Sequence, residues 1–213
     1  TQRFTIRWAE TLDRLDALGA ETLMTEFGQL VEGAETVHMV LANMSETLRW
    51  CREQVVERMN RGMGEIEILH DIDFPTELFD KPWMLPIYGD PTYIVRDLFR
   101  EENGWWDRNP TTLHPSAQAE AADAVLSAIG DPSAVIAKAE QLRDSGQVQL
   151  ALHVIDLVAL ADGDGPVVVR ARELKAELCR LRAKEVTAFV SKSLYESSAR
   201  LLDDGGTSWT GIN

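Results

Sequence analysis

The sequence predicts a mainly α protein, a multi-helix bundle with one short αβ segment at its amino terminus. Three observations carry that prediction. Apolar residues recur every three or four positions in segment after segment, the pattern of helices that bury one face. Glu21 to Glu26 lacks that period and reads as a short strand. Two stretches rich in proline and aromatic residues, 80–89 and 104–115, interrupt the helices and are read as loops.

Taken in order, Phe4, Trp8, Leu12, Leu15 and Leu18 place one amphipathic helix over 4–18, with Gly19 where a left-handed cap belongs. The strand follows, and Gly28 to Gly33 reads as a loop. A long helix is expected over 35–61, because Val37, Val40, Leu41, Met44, Leu48, Cys51, Val55 and Met59 share one face and Gly62 and Gly64 end it. So narrow an apolar seam suits packing against another helix or a symmetry mate. Its opposite face, with Glu46, Arg49, Glu53, Glu57 and Arg58, reads as solvated charge. Glu65 to His70 adds a helical turn or two before 71–75 breaks it.

Asp90 then caps a helix with Pro91 at its first position, and Tyr93, Ile94, Leu98 and Phe99 form its apolar face up to Asn103 and Gly104. Ser116 is expected to cap a helix over 117–129, and Gly130-Asp131-Pro132 opens the next, which ends near Ser145. Gly146 turns the chain into a helix over 147–160, and helices over 166–184 and 185–202 complete the bundle. Ala139, Leu142, Gly146, Ala151 and Ile155 fall at the spacing of a tetratricopeptide helical hairpin, where small residues let two helices approach. No second repeat keeps phase, so 117–202 is tetratricopeptide-like packing without an array. Residues 203–213 are polar and glycine-rich and read as a frayed tail.

The stretch 104–115 places two of the six tryptophans beside each other and two of the eight prolines close behind. Pro110 and Pro115 lack an N–H and push Asn109 and His114 toward extended backbone, so the segment should run across a surface as a strap. Trp105 and Trp106 are too large to be left wet, since each ring can bury about 150–250 Å², so helices or a second subunit are expected to cover them. Asp80 to Gly89, with Trp83 and Tyr88, repeats the recipe. Asp107 and Asn109 have the short polar side chains that fix turns by bonding to backbone N–H groups nearby.

Gly104-Trp105-Trp106-Asp107-Arg108-Asn109-Pro110-Thr111-Thr112-Leu113-His114-Pro115, preceded by Ile87-Tyr88-Gly89 and Val95-Arg96-Asp97-Leu98, resembles the G-W-[FY]-D-G-N-P-x-x-L-x-P signature of the alkylsulfatase family. That family is a branch of the metallo-β-lactamase superfamily. Arg108 stands where the signature has glycine. The resemblance, which runs from about Phe4 to Leu202, implies a helical dimerisation domain that follows a zinc-binding catalytic domain and often precedes a sterol-carrier-like domain. It divides the chain into a remnant of the catalytic domain over 1–33, the dimerisation domain over 34–202 and the tail. The remnant would end in a loop of the form P-G-H-G-P-x-V-E-G, whose histidine is a zinc ligand. Here the loop reads Thr25-Glu26-Phe27-Gly28-Gln29-Leu30-Val31-Glu32-Gly33, so Phe27 replaces that histidine, and the upstream H-x-H-x-D-H cluster is absent.

Composition narrows the partners. A formal net charge of -14 disfavours nucleic acid and anionic membranes, which need clustered Lys and Arg. The only cysteines, Cys51 and Cys179, lie far apart within helical patterns and read as buried free thiols. The most apolar stretch, 148–161, is too short for a bilayer span. A soluble protein is expected, with cytoplasm favoured over secretion. Leu69-His70-Asp71-Ile72-Asp73, with Glu65 and Glu67 upstream, is the one place where imidazole and carboxylates cluster, but neighbours at a helix end point apart, and a helix terminus is preferred to a metal site. His38, His114 and His153 are isolated; His153, on an apolar helix face, reads as a core residue. Asp162-Gly163-Asp164-Gly165 imitates a calcium loop, but Pro166 takes a ligand position, so it reads as a turn.

These readings converge on an assembly region that dimerises and adjoins an upstream metallo-β-lactamase domain of the same or another chain. No catalytic residue, zinc site or cofactor is assigned within the chain, which is expected neither to hold zinc tightly nor to cleave alkyl sulfates by itself. Trp83, Tyr88, Trp105, Trp106 and Asn109 are the candidate interface residues. The rival reading makes the aromatic ones a wall of the substrate pocket in an active sulfate-ester hydrolase. A peptide-binding adaptor is a third, for which 117–202 offers few exposed Asn or Lys.

Overall fold

The computed structural model describes residues 3–26 and 28–206. The chain divides into two compact units between Leu113 and His114. The first unit is built around α2 (Ala34–Asn60), preceded by α1 (Thr5–Asp16) and a ribbon of β1 (Thr22–Leu23) and β2 (Val31–Glu32). The strands pair antiparallel, Thr22 with Glu32 and Leu23 with Val31. The expected loop over 28–33 is therefore corrected, since its last residues complete a ladder whose partner lies far back in sequence and leaves no local periodic signal. After α2 come α3 (Glu65–Asp71), α4 (Thr76–Phe79), α5 (Pro91–Asn103) and α6 (Pro110–Leu113).

α2 has 27 residues and at about 1.5 Å each is long enough to carry two separate cores. Val37, Leu41 and Leu48 bury against Ala9 and Leu12 of α1, with Leu23 and Val31 of the ribbon alongside. Cys51 and Val55 bury against Ile68 of α3, Ile72, and Val95, Leu98 and Phe99 of α5. The seam expected to seek a helix or a symmetry mate is thus covered within the chain by α1, α3 and α5. Trp50, Phe74 and Phe79 stack edge-on and tilted, with centroids 4.8–6.1 Å apart, and seat the short α4 that sequence periodicity did not reveal.

The end of α2 sets up the strap. Gly62, at φ 87°, lets its N–H reach the Met59 carbonyl and the Met63 N–H reach the Arg58 carbonyl, a Schellman closure. Arg58 itself is buried and donates from Nε to Asp71 Oδ2 at 2.8 Å, tying α2 to α3. The strap is not free of helix, as α6 makes one turn of it. Pro110 at the first position has the φ a helix needs, and Asn109 Oδ1 accepts from the Thr111 N–H at 3.1 Å.

The second unit contains α7 (Gln118–Ala128), α8 (Pro132–Asp144), α9 (Val148–Ala159), α10 (Pro166–Glu185) and α11 (Phe189–Asp203). α7 begins after Ala117, which makes no side-chain cap, so the cap expected from Ser116 is not made. Asp131 does cap α8, accepting from the Ser133 and Ala134 N–H groups. Gly146, at φ 78°, makes the bend between α8 and α9, across which Ala139, Ala151 and Ile155 are fully buried. α10 packs between α9 and α11 through Ala171, Leu174 and Leu178. The turn over 162–165 is held by Arg172, which donates to the carbonyls of Ala159, Ala161 and Gly163. His153, expected in the core, faces outward because Leu152 and Ile155 take the buried face of α9. α11 closes with the Gly206 N–H on the Leu201 carbonyl. No helix among the described residues is long and apolar enough to cross a membrane.

Candidate interaction site

Asp107, Arg108 and Asn109 make the strap an ordered loop rather than a loose one. Asp107 Oδ1 accepts from the Asn109 N–H at 2.9 Å and from the Thr112 hydroxyl. Those bonds, the hydroxyl first, hold the Asp107 carboxyl below its usual range. The Trp106 indole N–H donates to the Asn109 carbonyl at 3.1 Å, and the Trp106 carbonyl accepts from Asn103 Nδ2 at 2.7 Å. The loop folds on its own polar groups, leaving its large apolar surfaces outward.

Trp105 is 69% exposed and Trp106 37% exposed, with Leu113 exposed at the end of α6. Asn109 is also exposed, so its side chain fixes a turn without a buried partner. In the earlier stretch, Trp83 is half-buried and donates its indole N–H to Asn43 Oδ1 on α2 at 2.8 Å. Tyr88 is exposed, as are its neighbours Leu85 and Ile87. The two stretches therefore differ: the first is pinned to α2 through Trp83, whereas the second presents Trp105.

Arg108 is the residue whose role sequence reasoning did not find. Among the described residues it is the one non-glycine with positive φ, at 69°, a conformation that costs a side-chain-bearing residue about 1–2 kcal/mol. Its guanidinium donates from Nη1 to the Gly62 carbonyl at 2.8 Å and the Met63 carbonyl at 3.1 Å. Nη2 donates to Asn103 Oδ1 at 3.3 Å, and the group lies 5.6 Å over the Phe99 ring. The signal that could have found it was the arginine itself, standing where the signature's glycine would take a left-handed φ without strain.

The other polar clusters among the described residues are surface pairs and buried thiols. An open groove of about 610 Å³ in the first unit is lined by Asp13, Asp16, Glu46 and Glu53 with Arg49. Arg49 and the Ser45 hydroxyl bond Asp13 and hold its carboxyl below the ordinary range. His38 pairs with Asp16 at 2.8 Å. Burial pushes the Cys51 thiol up to about 12 and raises Cys179 as well, so neither is an activated nucleophile. Among the described residues no group of three or more His, Cys, Asp or Glu is arranged to hold a metal ion. Phe27 lies outside the described residues.

The family model for alkyl sulfatase dimerisation matches residues 64–205, which include the whole strap. The chain belongs to the alkyl sulfatase dimerisation family. It is 28% identical over 174 residues to a linear primary-alkylsulfatase of Pseudomonas, a match covering 81% of this chain and 32% of that protein. It is 25% identical over 202 residues to an (R)-specific secondary-alkylsulfatase of Pseudomonas, covering 93% of this chain and 30% of that protein. The alkyl/aryl-sulfatase BDS1 of Saccharomyces cerevisiae is 23% identical over 202 residues, covering 93% and 31% of the two. The solved structure of the stereoselective inverting sec-alkylsulfatase Pisa1 from Pseudomonas has the same fold over 98% of this chain and 33% of its own, with a TM-score of 0.85 and 22% identity. The chain thus spans about a third of the length of the relatives it matches. The mainly helical architecture, with a two-stranded ribbon among the described residues, matches the alkyl sulfatase dimerisation fold.

Proposed function

We propose that this region assembles an alkylsulfatase-type hydrolase into a twofold-symmetric homodimer, with the zinc ions and the hydrolytic chemistry held by a metallo-β-lactamase domain upstream. The observation that carries the reading is the strap: an internally bonded loop, inside the matched dimerisation region, that keeps Trp105 and Trp106 outward. A loop that is ordered yet leaves its tryptophans wet is pre-organised for contact, because rigid aromatic anchors lose little entropy on docking. Leu85, Ile87, Tyr88 and Leu113 add exposed apolar surface in the same unit.

A substrate-wall role for the same aromatics has less support. Trp83 is engaged with Asn43, and the open groove beside α2 carries four carboxylates around one guanidinium, a lining that repels a sulfate ester. Symmetric contact by obligate dimers buries about 2,000 Å² or more. Sedimentation of the chain at micromolar concentration should give the mass of a dimer, and Trp105→Ala should shift it toward monomer. A monomer mass for the unmodified chain at every concentration would remove this reading.

A further inference from the structure

Arg108 occupies a left-handed conformation that favours glycine, and its guanidinium compensates with contacts that no glycine could make. Two of them go to the Gly62 and Met63 carbonyls, which follow the Schellman closure of α2. Both lie in the turn between the end of α2 and the start of α3, where backbone carbonyls take no part in either helix's ladder and are free to accept from a side chain. The other two reach the end of α5, through Asn103 Oδ1 and the face of the buried Phe99 ring. Asn103 uses its second polar atom on the Trp106 carbonyl, so one continuous set of bonds runs from the α2–α3 turn through Arg108 and Asn103 to the tryptophan pair. Within the strap, Arg108 is the half-buried residue while its neighbours from Gly104 to Asp107 are exposed.

We infer that Arg108 is the positioning residue of the interface: its guanidinium latches the strap to the ends of α2 and α5 and so presents Trp105 and Trp106 to a second copy of the chain. The latch rests on the dimer reading for its partner, although its grip on the strap is a property of one chain. A planar fork serves two adjacent carbonyls and a side-chain amide oxygen together, which the single ammonium of lysine cannot span. Backbone relief and guanidinium grip make opposite demands at this position, and that separates them by experiment.

The test compares the unmodified chain with Arg108→Gly and Arg108→Lys in two measurements. Arg108→Gly removes any left-handed strain and the fork at once. If the fork holds the strap, amide hydrogen exchange over 104–113 should accelerate at least tenfold in Arg108→Gly, and the dimer dissociation constant should rise at least tenfold. Should Arg108→Gly fold poorly, Arg108→Lys, which keeps the charge and the aliphatic stem, should still show faster exchange over the strap. Exchange at the unmodified rate in both variants would overturn the latch. Faster exchange with unchanged association would overturn its interface role. A monomeric unmodified chain would overturn the dimer reading and the interface role with it, whereas the exchange arm would still decide whether the guanidinium holds the strap.

Discussion

At the scale of single residues, the strap shows side chains acting on nearby backbone rather than on a core. Asp107 holds the Thr112 hydroxyl and the Asn109 N–H, and its carboxyl is held below the ordinary aspartate range for that reason. A carboxyl lowered in the folded state contributes stability above its unfolded value and loses it as the pH falls through the lowered native value. Exchange protection over the strap should therefore be level above about pH 5 and weaken as the pH falls below the ordinary carboxylate range, and Asp107→Asn should flatten that dependence. A dependence unchanged by the substitution would assign the loss to another group. Asn109→Ala should lower stability by about 0.5–1 kcal/mol in a denaturant melt, the loss of one exposed cap-type bond rather than of a buried partner.

At the scale of elements, α2 organises the first unit by offering different stretches of one seam to different partners. α5 returns Val95, Leu98 and Phe99 to the second of its cores, where Leu98 has no exposed surface. Leu98→Ala should cost about 2–5 kcal/mol by removing buried methyl groups and leaving a cavity, read as a lowered denaturant midpoint. Because the strap hangs from the ends of α2 and α5, the same variant should also speed exchange over 104–113. The pairing of α2 with α5 also explains Cys51: its thiol is packed in that core and should react with a thiol reagent only after unfolding.

At the scale of the whole molecule, each of the two units has apolar core clusters of its own among the described residues. One cluster, from Ala122 to Ala199, belongs to the second unit, and the other two, from Ala9 to Phe99, belong to the first. A domain with its own apolar core can in principle fold alone. Residues 114–213 expressed separately should be helical by circular dichroism and melt cooperatively, whereas a non-cooperative melt would mean that its core needs the first unit. The net charge of -14 bears on the whole molecule as well, since like-charged copies repel one another in general.

What the sequence determined by itself is what neighbours within four or five positions decide. The helices over 5–16, 34–60 and 91–103 follow from apolar period, and Asp90, Asp131, Gly62 and Gly146 cap or turn where their side chains or glycine backbone demand it. The signature around Trp105 and Trp106 was legible too, because a family motif is a string of residues in fixed order. Burial was not legible, because it depends on which distant surface covers a face. The seam of α2 could have met a second copy as easily as α1, α3 and α5, and only the folded chain shows that it meets those three. β2 needed its partner ten residues back. How far Trp105 is exposed within one chain was not legible either, since the bonds that order its loop lie among backbone groups and short polar side chains. Arg108 was only a departure from a motif until the turn between α2 and α3, more than forty residues earlier, was brought beside it.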